Sequence, residues 1–378
     1  MKKVLFLFFI FIIIPASLYL NLNRENIDIS EFRLNSGYEE VKLSDGVTSY
    51  KDIGDKNNKV IVLVHGATFG SLAYEEYVDV FIKNNYRVIA VTRSIHRKGY
   101  QIKTQSNYGY LELEEVNSFS EKNISKLMEK SSICINLIGI LYEKKKNQFN
   151  SIHSDLPFLL SKIASKNSIK QFIHLSALGI ESATDSKYAQ SKLSGENNVR
   201  KNFEGAVILK PSIVYSVDDN FTTNFMSLLS MLPFMPLYYN GRTKFTPIHV
   251  SDLTNIIYEI VQKKISGETI ECIGPEVFTF KEILLKLLKS MNKKRLLLPL
   301  PLPFAKMSAR VFQLMPKPLL TMDQLNLLKY DNITSKKYRT NFDLKMDACK
   351  EFENEINHYS YNWTSGGQFS KKKINKVN

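Results

Sequence analysis

The chain has 378 residues, 44% of them hydrophobic, which is enough for a sizeable core in one large α/β domain or in two smaller domains. Its formal net charge of +14 favours anionic partners such as phosphate-bearing ligands or acidic lipid headgroups, whereas the scattered basic residues and the lack of a recognisable motif argue against nucleic acid. Three widely separated cysteines argue against a disulfide framework and against a zinc site.

The amino terminus carries a membrane signal. Lys2 and Lys3 precede an uncharged apolar run at residues 4–20, which is short for a membrane span and is interrupted by Pro15. An uncleaved anchor and a cleaved signal peptide are both open. The two lysines favour a cytoplasmic amino terminus, which would send the rest of the chain across the membrane, whereas a cytosolic cofactor requires the opposite. We predict membrane association, with the globular domain on the cytoplasmic side of the inner or plasma membrane.

Residues 36–91 are predicted to form a hairpin followed by a strand, a helix and a strand. Asp45-Gly46 supplies the hairpin turn, KVIVLVHG and YRVIAV are buried parallel-type strands, and LAYEEYVDVFIKN has helical spacing. A dinucleotide-binding turn normally has three closely spaced glycines after the first strand. Here only Gly66 and Gly70 are present, so we predict that they contact the dinucleotide in a reduced version of the motif. A tight turn without a ligand is the alternative.

The end of the second strand suggests which dinucleotide is bound. NAD-binding proteins usually have Asp or Glu here, whereas Arg accommodates the extra phosphate of NADP. Arg93 occupies this position and therefore predicts NADP(H) in preference to NAD(H), with a solvated basic loop as the alternative. LELEEV and ICINLIGI are the predicted third and fourth strands.

The stretch at residues 171–196 is predicted to carry the chemistry. An apolar strand breaks at Ser176 and is followed by a helical pattern with Tyr188 and Lys192 four residues apart, on one face. A nearby cation lowers the pKa of a tyrosine, and Ser176 at the carboxyl end of the strand is placed to hold a substrate oxygen. The Tyr-x-x-x-Lys spacing alone is weak evidence because it occurs three times, and only this occurrence follows a strand that ends in Ser.

Together, this strand and Ser176, Tyr188 and Lys192 resemble the Ser/Tyr/Lys set of short-chain dehydrogenase/reductases. The flanking sequences FIHLSALGI and YAQSKLSGE resemble the atypical branch that contains the NAD(P)H-binding accessory subunit of respiratory complex I. This resemblance covers residues 92 to about 368. Residues 36–91 instead resemble the start of an α/β-hydrolase, although the chain has no Gly-x-Ser-x-Gly nucleophile elbow.

The resemblance implies further site residues and a protein partner. Asn136 and Gly139 match the Asn-x-x-Gly run that passes beneath the cofactor, where a small residue permits close backbone approach. Pro211 matches the point at which the chain leaves the nucleotide-binding domain. MPKPLLTMDQLNLLKYDN, residues 315–332, resembles the element of the accessory subunit that contacts its large partner.

The alternation of strands and helices predicts a doubly wound, mostly parallel, Rossmann-like sheet with a smaller carboxyl-terminal helical lobe. The predicted divisions are a hydrophobic segment (1–22), an extension with a hairpin (23–57), the nucleotide-binding domain (58–215), the carboxyl-terminal lobe with a late strand returning to the sheet (216–330), and an extension with a basic tail (331–378).

The sequence leaves three functions open. The resemblance implies an NAD(P)(H)-binding accessory or assembly subunit of complex I type, bound to that complex or to another large membrane complex, with a structural nucleotide. The second is an active NAD(P)-dependent nucleotide-sugar epimerase/dehydratase or reductase, in which Tyr188 is the acid/base, Lys192 tunes it and orients the ribose, and Ser176 binds the substrate oxygen. The third is a membrane-anchored α/β-hydrolase.

Overall fold

The computed structural model describes residues 59–65, 71–92, 110–116, 119–314, 318 and 320–364, all within one compact unit, Asp52–Asn378. The apolar run at residues 4–20, the predicted hairpin and the basic tail lie outside the described residues, as do Gly66, Gly70 and Arg93. Across the described part of the chain, no helix combines the length and the apolar character needed to cross a membrane.

Eight strands form one sheet in the order β14-β11-β6-β5-β4-β1-β2-β3, and all of its strand pairs are parallel. Most of these strands have near-continuous apolar sequences because helices cover both faces of a parallel sheet. The strands are β1 (Val60–His65), β2 (Arg87–Thr92), β3 (Leu111–Glu115), β4 (Ile133–Leu137), β5 (Gln171–Leu175), β6 (Val207–Pro211), β11 (Thr269–Cys272) and β14 (Arg339–Thr340). The predicted doubly wound parallel sheet is therefore confirmed.

Helices cover the sheet on two sides and connect its strands. On one side, α1 and α7 pack against the sheet through side chains such as Tyr77, Phe81 and Ile257, and on the other α2, α4 and α5 do so through Met128, Leu160 and others. The helices are α1 (Ser71–Lys83), α2 (Glu121–Glu129), α3 (Gln148–Asn150), α4 (Leu156–Lys166), α5 (Lys187–Asn202), α6 (Thr222–Met231), α7 (Val250–Gln262), α8 (Phe280–Ser290), α9 (Leu302–Phe312), α10 (Met322–Leu327) and α11 (Phe352–Tyr359).

The carboxyl-terminal lobe has its own apolar core, formed mainly by α6, α8 and α11. Three two-stranded sheets complete it, with β7 paired to β10, β8 to β13, and β9 to β12. These strands are β7 (Val214–Tyr215), β8 (Phe234–Leu237), β9 (Lys244–Phe245), β10 (Ile248–His249), β12 (Phe278–Thr279) and β13 (Leu296–Pro299).

Two local features of the fold are not evident from the sequence. A two-residue strand, β14, follows β11 at the edge of the main sheet, because the chain returns there after the lobe. The segment SIHSDLPFLLSKIASKN is not one regular α-helix, because its first turn, Ser151–Asp155, is a π-helix between α3 and α4. π-helical turns are rare and are frequent at functional sites.

Candidate functional site

The described residues of the predicted site lie at the carboxyl ends of three neighbouring strands, β4, β5 and β6. Asn136 is in β4 and pairs with His174 in β5, and Leu175 at the end of β5 pairs with Leu209 in β6. Gly139 is buried in the loop after β4, and Pro211 is the last residue of β6. Ligands of open α/β sheets bind at these strand ends.

The amino terminus of α5 is fixed by two side chains. The Ser186 hydroxyl caps the helix by accepting the Ala189 N–H. The Asp323 carboxylate of α10 accepts the backbone N–H groups of Lys187 at 2.6 Å and Tyr188 at 3.1 Å. A carboxylate is stabilised at a helix amino terminus by the free N–H groups and the helix dipole. Asp323 therefore ties the carboxyl-terminal lobe to the helix that carries the predicted site.

Tyr188 is half-buried on α5. Its ring packs edge-on against Phe149, with centroids 5.8 Å apart, and against His153, with centroids 5.2 Å apart. Burial, with a smaller contribution from the negative charge of Asp323, raises the pKa of Tyr188 to about 12. The prediction that Lys192 lowers this pKa is wrong, because desolvation of the hydroxyl dominates. At neutral pH Tyr188 is a protonated hydrogen-bond donor.

Lys192 of α5 is buried, and its Nζ donates to the backbone oxygen of Leu175 at 2.9 Å. Burial lowers its pKa to about 8, against the opposing effect of the Glu196 charge. An ammonium group has three N–H donors, and among the described residues only one of them is taken, by the Leu175 oxygen. Lys192 is thus held at the carboxyl end of β5 with donors available for a ligand hydroxyl.

Ser176 faces a buried ion pair. Its Oγ donates to Glu196 Oε1 at 2.5 Å, and the Lys210 ammonium lies 3.0 Å from the same oxygen. Lys210 is fully buried in β6 and also pairs with Glu181. Burial raises the pKa of Glu196, while Lys210 and Ser176 act in the opposite direction. To bind a substrate oxygen, Ser176 would have to leave this carboxylate.

Glu196 and Lys210 were not predicted as site residues. A signal was nevertheless present, because Lys210 interrupts the otherwise apolar strand VILKP, and a buried lysine needs a carboxylate partner.

Two buried histidines that were not predicted as site residues, His174 and His153, lie beside Lys192. His174 Nδ1 accepts from the Asn136 amide at 3.1 Å, and the Asn136 Oδ1 accepts the Ile138 N–H. Burial, reinforced by the Lys192 charge, lowers the pKa of His174 to about 3, so its ring is neutral and its Nε2 carries the proton. Among the described residues this Nε2 has no hydrogen-bond partner. His174 is therefore a buried donor left over at the end of β5.

His153 connects the π-helical turn to α5. Its Nε2 accepts the Ile140 N–H at 3.0 Å, which leaves the proton on Nδ1, 2.9 Å from the Ser191 hydroxyl. Ser191 in turn donates to the backbone oxygen of Tyr188 at 2.8 Å. Burial, followed by the charge of Lys192, lowers the pKa of His153 to about 2. The neutral imidazole therefore helps to fix the position of Tyr188.

Gly195 allows this arrangement. A Cβ at position 195 of α5 would lie 1.8 Å from the backbone oxygen of His153, which is much shorter than any real contact. Only glycine permits helix α5 to approach the π-helical turn so closely. The pattern SKLSGE therefore encodes a helix crossing as well as part of the predicted site.

Comparison with solved structures defines the fold class. UDP-glucose 4-epimerase from Bifidobacterium longum, in complex with NAD⁺ and UDP, superposes with a TM-score of 0.61 at 13% identity over 82% of this chain and 99% of that chain. UDP-glucuronic acid 4-epimerase from Bacillus cereus, in complex with UDP-glucuronic acid and NAD, gives 0.58 at 16% identity over 80% and 99%. The chain has the Rossmann-like fold of these epimerases.

Comparison with curated sequences gives a narrower result. The mitochondrial NADH dehydrogenase (ubiquinone) 1 alpha subcomplex subunit 9 of Arabidopsis thaliana is 26% identical over 288 residues, 73% of this chain and 71% of its own length. The mitochondrial NADH-ubiquinone oxidoreductase 40 kDa subunit of Neurospora crassa is 23% identical over 81% and 80%. These relatives confirm the resemblance to complex I subunits, whereas the hydrolase-like opening has no support in the comparisons. No protein-family model matches the chain.

Proposed function

We propose that this chain is an NAD(P)(H)-binding accessory or assembly subunit of a complex I-type NADH:ubiquinone oxidoreductase. Its similarity to complex I subunits over 73% of the chain is the observation that carries the proposal. In this role the nucleotide stabilises the subunit and is not turned over. The complex, or another large membrane complex, is then its protein partner, and the inner or plasma membrane is its location.

The described residues fit a dinucleotide. Within the described residues, Lys192 keeps two N–H donors beyond its bond to Leu175 and His174 has a buried Nε2–H without a partner, both near the carboxyl end of β5. Lys192 would bind the ribose hydroxyls and the protonated Tyr188 would donate to the nicotinamide ribose or carboxamide. Asn136 and Gly139 would line the floor beneath the cofactor, with Pro211 at its rim. A bound nicotinamide dinucleotide supplies hydride chemistry, and these residues bind and orient it.

A structural role for the nucleotide is favoured by the state of Ser176. In a turnover enzyme this hydroxyl would face the substrate, but here it donates to Glu196 within a buried ion pair. We therefore assign Ser176 to the internal hydrogen-bond network, and Tyr188 and Lys192 to the binding of the nucleotide.

The second candidate is an NAD(P)-dependent epimerase/dehydratase or reductase. The observation in its favour is that Tyr188 and Lys192 lie on one helix beside the strand ends, in the fold shared with the two NAD-bound epimerases. Tyr188 would then be the acid/base, Lys192 would orient the ribose, and Ser176 would have to exchange Glu196 for substrate.

The experiment that tests the proposal is identification of the retained nucleotide. The full chain is purified without added cofactor, and the nucleotide released on denaturation is analysed by mass spectrometry. We expect a nicotinamide dinucleotide in a near-stoichiometric amount, surviving Ser176→Ala but reduced by Lys192→Met. Absence of any nucleotide, together with no calorimetric binding of NADPH or NADH, would contradict the proposal.

Cofactor preference is proposed from Arg93, which directly follows the last residue of β2. A guanidinium at this position pairs with the 2'-phosphate of NADP(H), and charge-assisted bidentate pairs are among the strong hydrogen bonds of proteins. We expect tighter binding of NADPH than of NADH, and reversal of that order in Arg93→Asp. Lys98→Asp, in the same basic stretch of sequence, is the matched control and should retain the preference.

A further inference from the structure

The carboxyl-terminal lobe exposes apolar side chains on β13 and on α9, two elements that follow each other closely in the chain. Leu296 and Leu298 project outward from β13, 67% and 47% exposed, while Leu297 between them packs inward. Phe304 of α9 is 54% exposed, and Leu314, just beyond the end of the helix, is 85% exposed. Large apolar side chains grouped in this way mark an interaction site, whereas a single exposed leucine would not.

The helical part of this surface is a continuous stripe. Phe304, Met307, Val311 and Leu314 are spaced by three, four and three residues, so they share one face of α9 and its last turn. The opposite face holds Ala305, Ser308 and Ala309, which are buried against the lobe. The apolar stripe is thus additional to the face that α9 needs for its own packing.

The stretch of sequence that forms this surface carries charge of one sign. Residues 283–322 contain eight lysines and arginines and neither aspartate nor glutamate. Lys306 and Arg310 lie exposed on α9, and Lys293, Lys294 and Arg295 directly precede β13. An apolar stripe bordered by basic side chains is the pattern of helices that lie in the headgroup region of an anionic bilayer.

We propose that the β13–α9 surface, Leu296, Leu298, Phe304, Met307, Val311 and Leu314 with the adjoining Lys306 and Arg310, docks on the surface of a membrane that contains anionic lipid. The eleven residues of α9 are too few to span a bilayer, so the helix lies along the interface. A second copy of this chain is disfavoured, because a symmetric contact would bring the same basic residues together. Docking through this surface requires neither the nucleotide nor the apolar run at residues 4–20.

The experiment must report on α9 itself, because residues 4–20 can hold the full chain on vesicles. Phe304→Trp and, as a matched control, Phe158→Trp on α4 are made in the full chain, where Phe158 is 42% exposed and Trp363 is the only native tryptophan. Each protein is reconstituted with vesicles of brominated phosphatidylcholine, with or without phosphatidylglycerol. Equal thermal unfolding temperatures show that both variants are folded.

We expect a blue shift and strong quenching for Phe304→Trp in vesicles with phosphatidylglycerol, and neither change for Phe158→Trp. Adding Lys306→Glu and Arg310→Glu to Phe304→Trp should lower the association constant of this surface with the anionic membrane by about fivefold or more per charge. Lys170→Glu with Lys201→Glu, added in the same way, should leave it unchanged. Equal quenching of both probes, or insensitivity to lipid charge, would overturn the proposal. A blue shift without lipid that grows with protein concentration would assign the face to self-association, and unquenched Phe304→Trp on vesicle-bound protein would assign it to a protein partner.

Discussion

Ser176 illustrates how a residue of a predicted site can serve the fold. Its hydroxyl and the Lys210 ammonium share the buried Glu196 carboxylate, at 2.5 and 3.0 Å. A buried carboxylate requires such partners because its desolvation is costly. The sequence locates Ser176 at the carboxyl end of a strand, but it does not show which way the side chain points.

Replacing Ser176 by alanine tests this role. Loss of a hydrogen bond to a buried carboxylate should lower the free energy of unfolding by about 1–3 kcal/mol, measured by urea denaturation. The exposed Ser182→Ala is the control and should change stability little. Unchanged stability in Ser176→Ala would indicate that the hydroxyl serves a ligand and not the ion pair.

His153 predicts a specific pH dependence of stability. Burial lowers its pKa from 6.5 to about 2 in the folded chain. Between these values the unfolded chain binds a proton that the folded chain does not, so the free energy of unfolding falls as the pH falls. His153→Gln should flatten that dependence by up to about 1.4 kcal/mol per pH unit between about pH 6 and about pH 4.5. The exposed His358→Gln is the control, and equal slopes for His153→Gln and the parent would contradict the assignment.

At the scale of elements, the contact between α5 and the π-helical turn positions Tyr188. A methyl group on residue 195 would overlap the His153 carbonyl, so Gly195→Ala must push the turn and the helix apart. We expect destabilisation by about 1–3 kcal/mol and weaker nucleotide retention, despite the higher helix propensity of alanine. Asn197→Ala, at an exposed position of the same helix, should be neutral or slightly stabilising. A Gly195→Ala variant as stable as Asn197→Ala would show that the two elements are not in close contact.

The sequence pattern was sufficient to predict the sheet and most helices. A parallel sheet requires continuous apolar runs such as VIVLVH and ICINL, and the helices show apolar residues at helical spacing. The pattern was insufficient where long-range contacts decide the outcome. The two-residue strand β14 has no apolar run of its own and forms by pairing with β11. The π-helical turn depends on the approach of Gly195, forty-four residues after it begins, which no local pattern encodes.

At the scale of the whole molecule, the two proposed sources of membrane association can be tested separately. The apolar run at residues 4–20 predicts an anchor, so deleting residues 1–21 should reduce the membrane-bound fraction in sedimentation assays. Complete release would show that the β13–α9 surface alone is too weak to hold the protein, and partial retention on anionic vesicles would show that it contributes. No change on deletion would contradict a role for the amino-terminal run. Protease protection of the full chain would establish which side the globular domain occupies.

The most direct test of the central claim is Tyr188→Phe in the full chain. Phenylalanine keeps the edge-on packing against Phe149 and His153 but removes the hydroxyl proton, and loss of a positioned acid/base costs an enzyme about 10²–10⁴ in rate. For a structural nucleotide-binding subunit, mass spectrometry should find the dinucleotide still bound through Lys192, because loss of the Tyr188 hydrogen bond costs only about 0.5–1.5 kcal/mol. Native electrophoresis should find the subunit in its complex. Loss of complex assembly or of the cellular phenotype, with the fold and the bound nucleotide unchanged, would contradict the account and favour an enzyme.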